Sequence, residues 1–178
     1  MIDIGMIDTP QIYFAINHLG TCGGVQVTAS HNPAHYNGFK ISGQGARPIG
    51  GQTGLQEIKH IATTLRHTKA AGSGQVTVKD LTDPYRQHVL SFLAANLRRL
   101  NIVVDASNGM AGKWVPLLFG GLGIEMTVLN EECTGVFKHE PNPLVESNLA
   151  ELKAAVLEQG ADVGVCFDGD ADRLVIVD

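Results

Sequence analysis

The sequence predicts an α/β fold with mixed sheets and helices packed on them, arranged as two consecutive α/β units. Short apolar runs of strand length alternate with segments whose apolar residues recur at helical spacing. The runs around Val103 and Val163 are continuously apolar, which is typical of strands that are covered on both faces. The 21 glycines cluster at the ends of apolar runs, where they predict turns.

The first unit is predicted to span residues 1–98. Thr9 and Pro10 predict the start of a helix that ends by Gly20, with Thr9 as N-cap and Pro10 at the first helical position. The other elements expected here are strands at 2–7, 24–28 and 39–41, helices at 52–67 and 83–97, and a small polar loop at 68–75. The helix at 52–67 is expected to place its apolar side chains on one face: Leu55, Ile58, Ile61, Ala62 and Leu65.

The second unit is predicted to span residues 99–178 and to follow the same alternation. A turn is expected at residues 106–109, directly after a strand. The expected strands are 102–104, 124–129, 163–167 and 174–178, and the expected helices are 114–119 and 145–159.

Composition excludes several functional classes. The formal net charge of −5 argues against nonspecific binding to nucleic acid, which depends on Lys and Arg. No apolar run reaches the roughly 20 residues that cross a bilayer, and the N-terminus does not resemble a signal peptide. The cysteines at 22, 133 and 166 form neither a metal pair nor a complete disulfide set, which favours the reducing cytoplasm.

The most informative motif is Thr28-Ala29-Ser30-His31-Asn32-Pro33, which follows an apolar run. Ser30 therefore lies where a strand gives way to a turn, and its hydroxyl could carry a phosphoryl group. Adjacent side chains on an extended backbone point to opposite sides, so His31 is poorly placed as a base for Ser30. An ordinary turn-forming serine remains the alternative interpretation.

A second motif, Asp168-Gly169-Asp170-Ala171-Asp172-Arg173, also follows an apolar run. Three carboxylates this close repel one another, and a divalent cation that prefers oxygen ligands would relieve the repulsion. An EF-hand loop is disfavoured because Arg173 stands at the sixth position, which requires glycine. A phosphatase loop of the haloacid dehalogenase type continues with Gly and then Thr or Val, where this chain has Ala171 and Asp172. A solvated acidic turn is the third alternative.

Lys40 follows the predicted turn at Asn37 and Gly38, ten residues after Ser30. A hairpin at this turn would bring the ammonium group back towards the Ser30 hydroxyl, where it could offset the charge of a phosphate. A solvated lysine on a strand is the alternative.

The two motifs together, with Tyr36-Asn37-Gly38-Phe39-Lys40 between them, resemble the α-D-phosphohexomutase superfamily, and most closely its bacterial phosphomannomutase/phosphoglucomutase branch. The resemblance implies a Mg²⁺-dependent isomerase that interconverts hexose 1-phosphates and 6-phosphates, of mannose or glucose. Catalysis would proceed through a phosphoserine and a hexose 1,6-bisphosphate.

The resemblance also implies roles for individual residues. Ser30 would carry the phosphoryl group, and His31 or Lys40 would assist proton transfer. Asn32 and Arg173 would bind phosphate. Mg²⁺ would be held by Ser30 together with three carboxylates, those of Asp168, Asp170 and Asp172.

Members of this family have four domains, and the resemblance covers most of the first two, so both α/β units are expected to be truncated relative to the family. Segments that resemble the sugar-recognition and distal phosphate-binding loops are absent from this sequence. The isolated chain is therefore expected to be inactive as a mutase. The alternative is a non-catalytic remnant that binds Mg²⁺ or a partner.

Overall fold

A computed structural model describes residues 1–65, 72–94 and 97–178, and it confirms the predicted α/β fold. The elements of the first half are β1 (Ile2–Asp3), α1 (Thr9–His18), β2 (Gly23–Val27), β3 (Phe39–Gly43), α2 (Gln56–Thr64), β4 (Thr77–Val78) and α3 (Thr82–Leu90). Those of the second half are β5 (Asn101–Asp105), α4 (Met110–Phe119), β6 (Glu125–Leu129), α5 (Ala150–Gln159), β7 (Val163–Phe167) and β8 (Leu174–Val177). The division between residues 98 and 99 stays a prediction.

The second half is built on a four-stranded mixed sheet with strand order β6-β5-β7-β8. The first three strands are parallel, and β8 is antiparallel to β7. Helix α5 covers one face through Leu152 and Val156, which are buried with Val103 and Cys166. Because β5 and β7 are parallel, their carboxyl ends meet at one edge, and the acidic loop begins there.

The first half contains two small sheets, a parallel pair of β1 with β4 and an antiparallel pair of β2 with β3. A groove of about 1100 Å³, mainly apolar, lies along β1, α1 and β2 and reaches Ser30 and Asp170. The core between α1, α3 and α4 joins the two halves, and its buried members are Ile7, Ile12, Ile16, Tyr85, Met110, Trp114 and Leu118.

Two expectations at the N-terminus are wrong. The strand expected at residues 2–7 ends at Asp3, because the Asp3 carboxylate accepts the backbone N–H of Gly5 and Gly5 adopts a φ of 74°. The N-cap of α1 is Asp8 rather than Thr9, since Asp8 accepts the backbone N–H of Gln11 at 2.9 Å. Thr9 is thereby free to direct its hydroxyl elsewhere.

Helix boundaries differ more than strand boundaries. The first turn of the helix expected at 52–67 is irregular because Gly54 has a φ of 123°, and residues 66 and 67 lie outside the described residues. Its apolar face is exposed between Leu55 and Leu65. Residues 68–71 of the expected loop and 95–96 of the expected helix also lie outside the described ranges.

Three further helices have shifted ends. Helix α3 stops at Leu90 because the Ser91 hydroxyl and N–H both turn back to the carbonyl of His88. Helix α4 begins at Met110, four residues earlier than expected, directly after the turn that ends at Gly109. The segment expected as one helix from residue 145 opens with a 3₁₀ turn at Glu146–Leu149 before α5. Among the described residues, none of the helices combines the length and the hydrophobicity needed to cross a membrane.

Candidate active site

Ser30 directly follows the region where β2 ends, and three backbone segments meet there. Ser30 has a φ of 55°, and its N–H donates to the Thr28 hydroxyl at 2.8 Å. A Cβ on Gly169 would lie 2.5 Å from the Ser30 carbonyl oxygen, and one on Gly109 would lie 2.5 Å from the Gly169 carbonyl oxygen. Glycine at both positions therefore lets the acidic loop approach Ser30 closely.

The structure places Ser30 against Asp168, although 138 positions separate them in the sequence. The Ser30 hydroxyl donates to Asp168 Oδ2 at 3.0 Å and accepts a hydrogen bond from Arg173 Nη2 at 2.7 Å. Asp168 is fully buried, and its Oδ1 accepts the backbone N–H groups of Asp172 and Arg173. Burial and the neighbouring Asp170 charge raise the pKa of Asp168 above its ordinary value.

The two oxygens of Asp170 have different surroundings. Oδ2 accepts hydrogen bonds from Thr9 at 2.6 Å, Thr28 at 3.0 Å and Lys40 at 2.7 Å. Oδ1 is buried and has no hydrogen-bond partner among the described residues. Although burial opposes the charged form, the hydrogen bonds from Lys40 and Thr9 hold the pKa of Asp170 below its ordinary value.

Lys40 bridges two carboxylates of the acidic loop. Lys40 lies on β3 and pairs with Gln26 on β2. Its Nζ lies 2.7 Å from Asp170 Oδ2 and 2.5 Å from Asp172 Oδ2. The pKa of Lys40 is raised, because these two carboxylates outweigh the opposing effect of burial. Lys40 therefore reaches Asp170 and Asp172, whereas the Ser30 hydroxyl contacts Asp168.

The remaining residues of the two motifs divide into two groups. Arg173 contacts Asp168 at 3.0 Å, and its guanidinium also contacts His31 Nδ1. In the described part of the chain, the Asn32 side chain donates to the Ala29 carbonyl at 2.7 Å and so closes its own turn. Arg173 and His31 thus lie at the Ser30 hydroxyl, whereas the Asn32 amide is engaged locally.

The acidic loop has the donor set that a divalent cation requires. One carboxylate oxygen from each of Asp168, Asp170 and Asp172 lies within 4.8 Å of the others. The orphaned, buried Oδ1 of Asp170 is an observation independent of that clustering, because a buried carboxylate oxygen without a partner carries a desolvation cost. Oxygen ligands of this kind, with room for a phosphate oxygen, suit Mg²⁺.

Sequence reasoning missed Thr9 and Thr28 as residues of the site. Both hydroxyls donate to Asp170, and the backbone N–H of Thr9 donates to the Asp170 carbonyl at 2.9 Å. Thr28 belongs to the Ser30 motif and follows β2 directly, so the sequence could have identified it as a site residue. Nothing in the sequence identified Thr9 as a site residue, because a role in capping the helix explained it equally well.

Sequence models of known families match both halves of the chain. The model of phosphoglucomutase/phosphomannomutase alpha/beta/alpha domain I matches residues 1–69, and that of domain II matches residues 83–178. The chain belongs to the phosphoglucomutase/phosphomannomutase family. The predicted resemblance is thereby confirmed.

Individual relatives agree with the family assignment. A phosphomannomutase of Salmonella montevideo is 39% identical over all of this chain and 41% of its own length. A phosphoglucomutase of Neisseria gonorrhoeae is also 39% identical, over 99% of the chain and 38% of its own length. The solved structure of a family protein from Burkholderia thailandensis superposes with a TM-score of 0.84 at 34% identity, over 99% of this chain and 39% of that one. The chain therefore spans about 40% of the length of these relatives.

Proposed function

We propose that this chain carries the phosphoryl-transfer site of a phosphohexomutase, an enzyme that interconverts a hexose 1-phosphate and a hexose 6-phosphate through a phosphoserine, here at Ser30, and a hexose 1,6-bisphosphate. The observation that carries the proposal is the Ser30 hydroxyl, which lies between the Asp168 carboxylate and the Arg173 guanidinium. A hydroxyl flanked by an acceptor and a cation can lose its proton and then hold a phosphoryl group. Phosphoryl transfer needs this positioning and charge neutralisation more than covalent assistance.

In the proposed transfer, the Ser30 oxygen attacks phosphorus in the bisphosphate. A P–O bond to Ser30 forms as the P–O bond to the sugar oxygen breaks. The hydroxyl proton of Ser30 leaves along its hydrogen bond towards Asp168, and the released sugar oxygen takes up a proton from Lys40. The reverse transfer, to the other hydroxyl of the sugar, completes the isomerisation.

The side chains around Ser30 have separate roles in this proposal. Arg173 donates to the Ser30 oxygen and would offset the charge of the phosphoryl group. His31 contacts the guanidinium, so we assign it to orienting Arg173 while the Ser30 proton goes to Asp168. Asn32 would bind phosphate only after its amide leaves the Ala29 carbonyl.

We also propose that the reaction depends on Mg²⁺, held by the Ser30 phosphoryl oxygen and by Asp168, Asp170 and Asp172. A bound Mg²⁺ would supply neutralisation of the charge on the transferring phosphoryl group. The acceptor-only chemistry of the three carboxylates and the orphaned Asp170 oxygen support this assignment.

The proposed substrates are the phosphates of mannose or glucose. Relatives named phosphomannomutase and phosphoglucomutase match this chain at the same 39% identity, so the comparison favours neither sugar. The proposed setting is the cytoplasm, which fits three cysteines that are all free.

The test is phosphorylation of Ser30 in the 178-residue chain. The chain is incubated with glucose 1,6-bisphosphate and Mg²⁺, and the site of modification is read by mass spectrometry. We expect slow, stoichiometric phosphorylation at Ser30, none in Ser30→Ala, and strong reduction in Asp168→Asn. Ser91→Ala is the matched control, because that hydroxyl donates only to the His88 carbonyl of its own helix end.

Phosphorylation at other serines, or equal labelling of Ser30→Ala, would refute the phosphoserine proposal. Mg²⁺ binding without any phosphoryl transfer to Ser30 would instead favour a non-catalytic, metal-binding remnant.

A further inference from the structure

A cluster of titratable side chains around one buried carboxylate lies beside the acidic loop and takes no part in the proposed chemistry. Its centre is Asp105, the last residue of β5, whose side chain is fully buried. Asp105 Oδ1 accepts the Ser107 N–H at 2.9 Å and the Asn130 amide at 3.0 Å, and Oδ2 lies 3.0 Å from His139 Nε2. Both oxygens are partnered, which is the environment of an ionised carboxylate.

The imidazole of His139 faces an acceptor at each ring nitrogen. Nε2 faces the Asp105 carboxylate, and Nδ1 lies 2.8 Å from the Glu140 carbonyl oxygen, which can only accept. A neutral imidazole has a single N–H, so it would leave one nitrogen lone pair facing an oxygen lone pair. With Asp105 ionised, only the doubly protonated ring satisfies both contacts.

The cluster is connected to the acidic loop by two routes. The Ser107 hydroxyl donates at 2.6 Å to the carbonyl of Phe167, the residue before Asp168. On the other side, Pro141 is fully buried, and its Cβ would lie 3.6 Å from a Cβ built on Gly169. The segment that carries His139 therefore lies against the same loop whose base is held by Ser107.

The turn that contains Ser107 and Asn108 has an unfavourable backbone conformation, which contacts from other segments must stabilise. Ser107 and Asn108 have φ values of 49° and 50°, in the left-handed region that non-glycine residues rarely adopt. Asp105 holds the Ser107 N–H, and the Asn108 side chain accepts the Lys138 N–H at 3.0 Å. Loss of the His139 contact would release the segment that supports this turn.

We propose that His139 is a positioning residue, held as an imidazolium between Asp105 and the Glu140 carbonyl, that clamps the segment 138–141 onto the acidic loop. The neighbouring carboxylates of Asp105 and Glu151 favour the protonated ring, whereas partial burial opposes it. Glu151 adds negative charge, shared with Lys138 at 2.6 Å, and the pKa of His139 is raised by Asp105 above all. The pKa of Asp105 is lowered because its hydrogen bonds from His139 and Asn130 outweigh the cost of burial. The Cys166 thiol lies 3.6 Å from the Ser107 Oγ, near enough for the charges of Asp105 and Asp168 to act on it.

The first test is nuclear magnetic resonance of the ¹⁵N-labelled chain without metal. Both ring nitrogens of His139 should have the shifts of a protonated imidazolium at neutral pH, and the ring should titrate above the ordinary histidine value of about 6.5. A neutral ring at neutral pH, or a proton shared from a protonated Asp105, would overturn the proposal. This measurement needs only the wild-type chain.

The second test follows the acidic loop by amide hydrogen exchange. In His139→Gln, which keeps one donor but no charge, we expect the amides of residues 168–173 to lose protection about tenfold. In the wild type the same protection should fall with the titration of the His139 ring, whereas in His139→Gln it should not change over that pH range.

Lys153→Gln is the matched control, because it removes a surface ion pair with Glu146 in the same half of the molecule. It should leave the loop protected. Loop protection that is unchanged in His139→Gln, or independent of pH in the wild type, would refute the clamp. Neither readout requires phosphoryl transfer, so the result is separate from the fate of the proposed function.

Discussion

The two carboxylate oxygens of Asp170 differ in their hydrogen bonding. Oδ2 has three donors, from Thr9, Thr28 and Lys40, and these fix the orientation of the side chain. Oδ1 is left buried and unpartnered, which costs free energy unless a ligand satisfies it. The protein thus stabilises one oxygen in order to present the other.

Lys40 competes with a divalent cation for the same carboxylates. Its ammonium group bridges Asp170 and Asp172, so a bound cation shares or displaces it. We expect Lys40→Met to increase the Mg²⁺ affinity of the unphosphorylated chain about tenfold, as removal of one nearby positive charge implies. Titration calorimetry measures the Mg²⁺ affinity, and Lys153→Met is the control for loss of an exposed lysine. Weaker binding in Lys40→Met would show that Lys40 organises the carboxylates instead.

Asp8 makes the stability of the chain depend on pH. Burial raises the pKa of Asp8 to about 6, against hydrogen bonds from Gln11 and Tyr85 that favour the charged form. Below the unfolded-state value of 3.8 the carboxyl is protonated whether the chain is folded or not. As the pH rises towards 6, only the unfolded chain loses the proton, so stability falls by up to about 3 kcal/mol and then levels off.

We therefore expect Asp8→Asn to stabilise the chain by about 1–2 kcal/mol near pH 7, and by much less near pH 4. Asparagine keeps the N-cap acceptor for Gln11 but cannot ionise. Urea unfolding in the presence of a chelator provides the measurement. Asp80→Asn is the matched control, because Asp80 is exposed and its pKa is lowered by Thr82, so no gain is expected. An equal effect of Asp8→Asn at both pH values would contradict the assignment.

The Ser30 turn and the acidic loop, which contact each other at Gly169, each contain one strained residue. Ser30 and Ala171 have φ values of 55° and 56°, in the left-handed region. The Ala171 N–H donates to the Asp168 carbonyl at 3.1 Å, which closes the loop that presents the carboxylates. Such conformations persist only where surrounding contacts impose them, and they are frequent at functional sites.

Ala171→Gly should relieve part of this strain. A left-handed alanine costs about 1–2 kcal/mol, and the greater freedom of glycine in the unfolded chain offsets part of the gain. We expect a net stabilisation of about 0.5–1 kcal/mol in thermal unfolding. Ala154→Gly, the same change within the exposed face of α5, should instead destabilise by about 1 kcal/mol. Loss of stability in both variants would rule out strain at Ala171.

Strands were easier to predict than helix ends. The bounds of β7 match the prediction, because its apolar run is closed by the acidic motif on one side and a polar turn on the other. The N-cap of α1 was assigned to Thr9 rather than Asp8, because both residues are good caps and the competing acceptor, Asp170, lies 161 positions away. Such long-range partners are what sequence patterns lack, and they also explain why Thr9 was missed at the site.

Across the whole molecule, the site exists only because the two halves meet. The Ser30 turn and Lys40 come from the first half, and the acidic loop from the second. The sequence motifs predicted that these residues act together, but the backbone contact through Gly169 required the structure. The core around Trp114 and Tyr85 holds the halves in this arrangement. The roles of the residues that meet there stay predictions.

In the proposed function the arrangement around Ser30 holds one phosphoryl group, which limits what we expect of the 178-residue chain. Lys40 is engaged with Asp170 and Asp172, and Arg173 is engaged with Ser30 and Asp168. A mutase must also hold the opposite end of a bisphosphate while the sugar reorients, since remote binding energy supplies much of the rate. The relatives are about two and a half times longer than this chain, as their 41% coverage implies.

We therefore expect no mutase turnover from the isolated chain, even where Ser30 becomes phosphorylated. The assay couples formation of hexose 6-phosphate from mannose 1-phosphate or glucose 1-phosphate, primed with the bisphosphate. The phosphorylated and the unphosphorylated chain should both show no turnover. The reason is that the reaction lacks binding of the far phosphate and not a supply of phosphoryl groups. Turnover of about 10 per second, that of an ordinary enzyme, would show that the described residues already hold both ends of the substrate. If that turnover persisted in Ser30→Ala, it would remove the phosphoserine from the mechanism.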